Sequence, residues 1–366
     1  MVAPIQPQRL RHLLRRMIDI YSPSGKEEEI LDYLHGLLKG HGLPVVRQPL
    51  DGHRFNLLVA PAGGDIRLAL VGHVDTVVAH ELDRFGFAEG GDRVIGLGAA
   101  DMKGGCAAMV EAFLALWETG GAHRPVALAL VVGEEEDGDG AQRLVRDAHF
   151  PWAIIGEPTD LQPCLSHYGY LEVQVTTRGT RRHASLANMG ENPVEAMLHL
   201  LLGISRYLRE QRPETVYNIR ELSSAQAGFV VPERCEAWLD HHLPPSAAIG
   251  EMMMDLEDLL HQARLAKPHL DAVLRFATIH GGYEIPEKGD TIAALKAVYT
   301  CHGLPWEPQA FRSHSDANLL WAAGVKPILL GPGQLEMAHA ANESVSFRHV
   351  CLAAQIYYDL LTSLGA

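Results

Sequence analysis

Five short segments of this chain set carboxylates or histidines beside glycines or turns, and their side chains are of the kind that binds divalent metal ions. In Gly72-His73-Val74-Asp75-Thr76, a His and an Asp two positions apart can work together, the imidazole as a ligand and the carboxylate as the group that orients it. Gly96 to Gly105 holds Asp101 among glycines, where the backbone approaches something closely and one carboxylate can bridge two cations. An N-cap for the helix that follows is the competing role for Asp101. The Gly-x-Gly-x-x-Gly spacing of a dinucleotide loop is absent there. Gly133-Glu134-Glu135-Glu136-Asp137-Gly138-Asp139-Gly140 places five carboxylates in six positions, which repel one another unless they are solvated or share a cation. Gly156-Glu157-Pro158-Thr159, and Pro332-Gly333 followed by Ala338-His339-Ala340-Ala341-Asn342-Glu343, complete the set.

These segments need elements to hold them. Arg9 to Ile20 has helical periodicity, Ser22-Pro23-Ser24-Gly25 breaks it, and Ser24 is placed to cap a helix over Lys26 to Lys39 whose first turn is acidic. Phe55 to Ala60 and Ile66 to Gly72 read as strands, the second almost continuously apolar like a strand buried on both faces. A helix over Met102 to Thr119 and buried strands over Val126 to Val132 and Ala153 to Ile155 extend the alternation. The pattern indicates an α/β domain with a mostly parallel sheet between helices. Four of the five segments then stand at strand ends, where such sheets carry function.

Near Leu165 the pattern changes. Tyr170 to Thr177 alternates as a half-exposed strand, followed by a helix (Pro193 to Gln211) and two strands (Val216 to Ile219, Arg234 to His241). A helix (Gly250 to Leu265) and a strand (Ala272 to Ala277) close a smaller α+β insert with an antiparallel sheet. From Gly281 the first style returns, with a helix (Thr291 to His302), a strand (Pro327 to Leu330) and a last helix (His349 to Leu364). The expected division is therefore 1–165 and 281–366 for one α/β domain in two pieces, and 166–280 for the insert.

Length and composition agree with two domains of ordinary size, since 366 residues exceed one compact core and 47% hydrophobic with 21% charged residues is a soluble globular balance. A net charge of −14, from 45 acidic and 31 basic side chains, argues against a nucleic-acid partner. The 20 histidines inform only through local context. Cys106, Cys164, Cys235, Cys301 and Cys351 are scattered and odd in number, so reduced thiols are expected rather than disulfides or a cysteine zinc site. Met1 to Arg16 lacks the apolar core of a signal peptide, and no run reaches the roughly 18 apolar residues of a membrane span. The expected setting is cytoplasmic, away from membranes.

Taken together and in order, the five segments resemble the metallopeptidase and deacylase family that includes acetylornithine deacetylase, succinyl-diaminopimelate desuccinylase, aminoacylase and a glutamate-releasing carboxypeptidase. The resemblance covers nearly the whole chain, the insert included. It implies that His73, Asp101 and Glu157 hold one divalent ion, and that Asp101, Glu135 and His339 hold a second, with Asp101 shared. Zinc is the expected metal; three carboxylates among the five ligands leave cobalt or manganese as alternatives. Asp75 would orient His73, and Glu134 would be the general base for a water between the ions. Gly140 falls five positions after the metal-binding Glu of the family pattern, which favours Glu134 as base and Glu135 as ligand over Glu135 and Glu136.

Gly179-Thr180-Arg181-Arg182-His183-Ala184-Ser185 resembles the family's lid segment, whose His, here His183, hydrogen-bonds the developing oxyanion, often in the partner subunit. A homodimer through the insert is implied with it. The implied reaction is hydrolysis of the amide bond of a small N-acyl amino acid, in the manner of acetylornithine or acetyllysine deacetylases. A dipeptidase or exopeptidase acting on short peptides is the alternative within the family, and a non-catalytic metal-binding homologue the alternative outside enzymes. Three departures bear on substrate. Phe229 stands where the family often has Asn before Val230-Val231-Pro232. His242 replaces the Arg that serves a substrate carboxylate in the pattern Asp-x-Arg-x-x-Pro. The usual Gly-Thr-Ser-Asp reads Arg312-Ser313-His314-Ser315-Asp316, and Arg312, His314 and Arg220 are the candidates for the missing cation.

Overall fold

The computed structural model describes residues 4–61, 65–79, 81–82, 85–224 and 228–364. Met1 to Ala3, part of the segment read for a leader, lie outside the described residues. The chain divides into two compact units, one of Met1–Ser166, Ile285–Phe311 and Ser315–Ala366, the other of His167–Glu284 with Arg312–His314. The first unit opens with α1 (Pro7–Asp19), α2 (Glu28–Gly40), β1 (Val45–Pro49), β2 (Phe55–Val59) and β3 (Leu68–His73). It continues with α3 (Gly104–Glu118), β4 (Val126–Val131), α4 (Asp139–Asp147), β5 (Trp152–Ile155) and β6 (Cys164–His167). The second unit holds β7 (Gly169–Arg178), α5 (Pro193–Gln211), β8 (Val216–Ser224), β9 (Arg234–Leu243), α6 (Ile249–Ala266) and β10 (Asp271–His280). The chain then returns to the first unit for α7 (Asp290–Cys301), α8 (Asp316–Ala322), β11 (Lys326–Leu329) and α9 (Phe347–Ser363).

The large sheet runs β1-β2-β4-β3-β5-β11-β6. Its middle, β4-β3-β5-β11, is parallel, while β1 and β2 join one side antiparallel and β6 the other. β3 and β4 are buried at every position. Because β4 packs against both α3 and α4, its alternate residues all meet protein, hence its unbroken apolar run. α3 is buried along nearly its whole length, wedged against α1 and α9. Among the described residues no helix is long and apolar enough to cross a membrane.

The insert is an antiparallel sheet, β8-β9-β7-β10, with α5 and α6 on one face. Leu171, Val173 and Val175 of β7 turn inward beside Leu239 and Ala237 of β9 and meet Met197, Leu200, Leu256 and Leu260 of the helices. The opposite face pairs Tyr170 with His242, Glu172 with Asp240 and Gln174 with Trp238. The insert closes at Glu284 rather than at 280, and Arg312–His314 joins it. Ring packing accounts for both differences. Tyr283 stacks on His167 at 5.5 Å, and His314 stacks on His280 at 4.9 Å with a 2.7 Å hydrogen bond between the rings.

Two local expectations are corrected. Ser24 does not cap α2, whose N-cap is Glu27 without a side-chain bond; Ser24 Oγ instead donates to Asp75 Oδ2 at 2.7 Å. Asp101 is no N-cap either, because α3 begins at Gly104 with Lys103 before it.

Candidate metal centre

Parallel strands deliver their carboxyl ends to one edge of a sheet, and this sheet uses that edge. His73 is the last residue of β3, Glu134 and Glu135 follow β4, Glu157 follows β5, and the segment after β11 leads to His339. Asp101 arrives from the loop before α3, and close packing sets it down there. A Cβ at Gly105 would lie 2.1 Å from the carbonyl oxygen of Gly156, so only glycine lets the first turn of α3 touch the turn after β5. Gly133 turns the chain into the acidic loop at φ 74, with space for a Cβ already taken by Asp139 Oδ1 at 2.2 Å.

The donors fall into two sets around Asp101. His73 Nε2 lies 3.2 Å from Asp101 Oδ1 and 3.8 Å from Glu157 Oε1. His339 Nε2 lies 3.4 Å from Asp101 Oδ2 and 3.0 Å from Glu135 Oε2. The two oxygens of Asp101 therefore face different partners. In each set, His73-Asp101-Glu157 and Asp101-Glu135-His339, one donor atom per residue lies within 4.8 Å of the others. Donors held 2.0–2.2 Å from a tetrahedral ion sit about 3.3 Å apart, so these separations suit a cation between them. Glu157 Oε1 is buried without a hydrogen-bond partner, as an unused ligand atom would be. The residues present thus fit two divalent ions. His73, Glu134 and Glu135 form a third grouping, with Glu134 Oε2 3.8 Å from His73 Nε2.

Burial sets the electrostatics of the cluster. It pushes Glu134 and Glu157 well above the usual carboxylate range; the charge of His73 opposes the shift, and neighbouring carboxylates, Asp316 among them, add to it. Burial also raises Glu135, against its hydrogen bond to His339. Burial would lower the pKa of His73, but the charge of Glu134 and the hydrogen bonds to Asp101 and Asp75 hold it well above the usual imidazole value. Hydrogen bonds to Asp101 and Glu135 lift His339 to about 10. So many carboxylates in one buried site cannot all ionise alone, and cations would reverse the penalty.

Asp75 organises two parts of the site at once. Its Oδ1 is 3.5 Å from His73 Nδ1 and accepts the Glu134 N–H at 3.3 Å. Its Oδ2 accepts the Glu135 N–H at 3.1 Å and the hydroxyl of Ser24. The orienter of the imidazole therefore also anchors the backbone of the acidic loop.

Three residues given no role from sequence belong here. Glu343 Oε1 accepts the N–H groups of Ala100 and Asp101, each at 2.9 Å, and its Oε2 accepts the Gly98 N–H at 2.8 Å. Asp316, at the first turn of α8, is buried with Oδ1 unpartnered, and burial pushes it up to about 8. Lys103 is buried and donates to the Ile20 carbonyl at 3.0 Å; burial pushes it down to about 7. Glu343 and Asp316 each close a quoted segment, but nothing in residue type distinguishes them from surface acids.

His183 lies in the insert, exposed, with Nδ1 2.8 Å from Ser185 Oγ. Phe229 is 86% exposed. Two of the candidate replacement cations already have partners within the insert. Arg220 is paired with Glu172 and with Asp240, which also accepts the Tyr170 hydroxyl at 3.0 Å. His314 is pushed down to about 3 by burial and by the imidazoles of His280, His167 and His242, so it is neutral at physiological pH. His242 is lowered too, by burial. Arg312 is exposed.

The profile described as "Peptidase family M20/M25/M40" matches residues 69–363. Acetylornithine deacetylase of Edwardsiella ictaluri is 30% identical over 342 residues, covering 87% of this chain and 86% of the relative. A tripeptidase of Staphylococcus aureus has a similar fold, with a TM-score of 0.81, 19% identity and 99% of each chain covered. A dinuclear metal-binding peptidase of Bacillus subtilis from the M20 family superposes with a TM-score of 0.71 at 12% identity, with 98% of each chain covered. The chain belongs to peptidase family M20/M25/M40 and is a hydrolase of amide or peptide bonds.

Proposed function

We propose that the chain is a deacylase that cleaves the amide bond of small N-acyl amino acids with two divalent ions, zinc being the first choice. The observation that carries this reading is Asp101, whose two oxygens face His73 on one side and His339 on the other. His73, Asp101 and Glu157 would hold one ion; Asp101, Glu135 and His339 would hold the other. When bound, such ions acidify a water and polarise a substrate carbonyl. Glu134 stands beside His73 without being needed as a ligand in either set, which leaves its carboxylate available to take a proton. One Glu134 oxygen accepts the proton of the attacking water and returns it to the leaving nitrogen. Asp75 keeps the His73 ring and the Glu134 backbone in place while this happens. On the strength of the family resemblance, His183 is proposed as a hydrogen-bond donor to the oxyanion and the insert as the contact of a homodimer. A cytoplasmic setting belongs to the same proposal, supported by five cysteines that form no disulfide.

The test is a turnover screen of N-acetyl amino acids against dipeptides and tripeptides, on protein stripped with chelator and reloaded with zinc, cobalt or manganese. Metal-dependent release of the amino acid from the acetylated series is expected. Glu134→Gln should lower kcat by about 10²–10⁴-fold with metal content unchanged, His183→Asn should lower kcat more than it raises KM, and sedimentation should give a dimer. Turnover of peptides alone would replace the deacylase reading with a peptidase. Absence of bound metal, or full activity in Glu134→Gln, would sink the mechanism.

A further inference from the structure

A cavity of about 160 Å³ opens beside His339 within the first unit, lined by Val77, Val78, Phe85, Ile95, Leu97 and Ala341 among others. His339 shares its wall, and the His339 side chain is 52% exposed although it contacts Asp101 and Glu135. Val77 and Val78 come from the segment just past Asp75, so the cavity begins where the ligand residues of two segments end. Among the described residues, none of its apolar side chains is closed off. Val78 is 71% exposed, and Val77, Phe85, Ile95 and Leu97 are each only half-buried. Such walls gain from being covered by an apolar group.

Size narrows what covers them. An apolar cavity of roughly 150 Å³ takes a benzene ring, so this one matches a branched aliphatic or phenyl group. Glu343, which also lines the cavity, already accepts three backbone N–H groups. We propose that this cavity is a specificity subsite receiving an apolar branched or aromatic group carried on the scissile amide. The proposal rests on the functional reading above for the reaction at its edge.

Binding tests the cavity without requiring turnover. Titration calorimetry of the zinc-loaded protein compares acetohydroxamate with 4-methylpentanohydroxamate, which share a metal-binding head and differ in the apolar arm. The branched compound should bind at least about tenfold more tightly, and the ratio should fall toward one in Val77→Phe, which fills the space. Ala341→Leu, at an exposed position, serves the same purpose should Val77→Phe not fold. Equal binding by the wild-type protein, or a ratio unchanged by the filling variants, would overturn the subsite. Failure of both hydroxamates to bind would remove the metal reading and the subsite with it.

Kinetics separates the two sources of the apolar group. A preference for N-acetylleucine over N-acetylglycine in kcat/KM places it on the amino acid; a preference for N-(4-methylpentanoyl)glycine over N-acetylglycine places it on the acyl chain. Turnover with neither preference, or with N-acetylornithine favoured over N-acetylleucine, overturns the subsite while the hydrolase reading stands. No turnover together with a retained hydroxamate ratio has the opposite meaning: the deacylase reading falls and the apolar site remains.

Discussion

Glu343 holds the backbone of the Asp101 loop, while the imidazoles face the Asp101 carboxylate. Glu343 accepts N–H groups from Gly98, Ala100 and Asp101, and it lies four residues after His339, so one carboxylate ties the loops of two proposed ligands together. Glu343→Gln keeps the shape but turns an amide N–H toward backbone N–H groups and removes a negative charge near the cation site. We expect metal affinity to fall by roughly 10–100-fold, read by competition with a chelator, with a smaller loss of kcat at saturating metal. Unchanged affinity would mean that the Asp101 loop holds itself. His73, Asp101, Glu135, Glu157 and His339 were legible as candidates because each carries a local mark, a strand end or a glycine turn. Glu343 closes the same segment as His339, but its role was not legible, since the groups it holds are 242 to 245 residues away in the chain.

At the scale of elements, α3 packs tightly where it meets the turn after β5. A side chain at Gly105 must displace the Gly156 carbonyl, which lies next to Glu157. Gly105→Ala should cost about 2–3 kcal/mol as overpacking of a tight contact, and metal binding should weaken with it. Gly36, in the exposed middle of α2 with nothing within 4 Å of its Cβ position, is the control. Gly36→Ala should be neutral or stabilising by up to about 1 kcal/mol. Thermal unfolding of the two variants checks both, and equal melting temperatures would refute the packing argument. Buried elements such as β3, β4 and α5 were readable because periodicity records burial. β8 runs to Ser224 rather than Ile219 and is exposed along almost all its length, so no apolar alternation marks its extent. β1, α4 and α8 were not anticipated, being short and mostly supported by neighbours distant in sequence.

In the metal-free protein, buried histidines of the insert and Asp316 of the first unit contribute oppositely to the pH dependence of stability. In the insert, burial holds His167 and His241 down at about 4 and His314 at about 3, against an ordinary value of 6.5. The unfolded insert therefore binds more protons, and stability present above pH 6.5 is lost as pH falls toward 4. In the first unit, burial raises Asp316 from 3.8 to about 8. Its folded form keeps a proton that the unfolded chain releases, so that stability is present at low pH and is lost as pH rises through about 8. Hydrogen exchange by peptide, corrected for intrinsic rates, should show β7 and β9 less protected at pH 5 than at pH 7. Peptides around α8 should instead be less protected at pH 8 than at pH 6. A single pH dependence shared by both units would refute this division.

The sequence by itself determined the family, the α/β class with its antiparallel insert, the hydrolase chemistry and the set of candidate metal donors. Ligand type, strand-end glycines and hydrophobic period are all written within a few neighbouring residues. Tertiary structure decided which oxygen of Asp101 faces which imidazole, that Ser24 holds Asp75 instead of capping a helix, and that Arg220 is paired with Glu172 and Asp240. It also decided that His314 is neutral among imidazoles and that an apolar cavity adjoins His339. Those outcomes depend on which side chains meet after folding, and the contacts join residues tens to hundreds of positions apart.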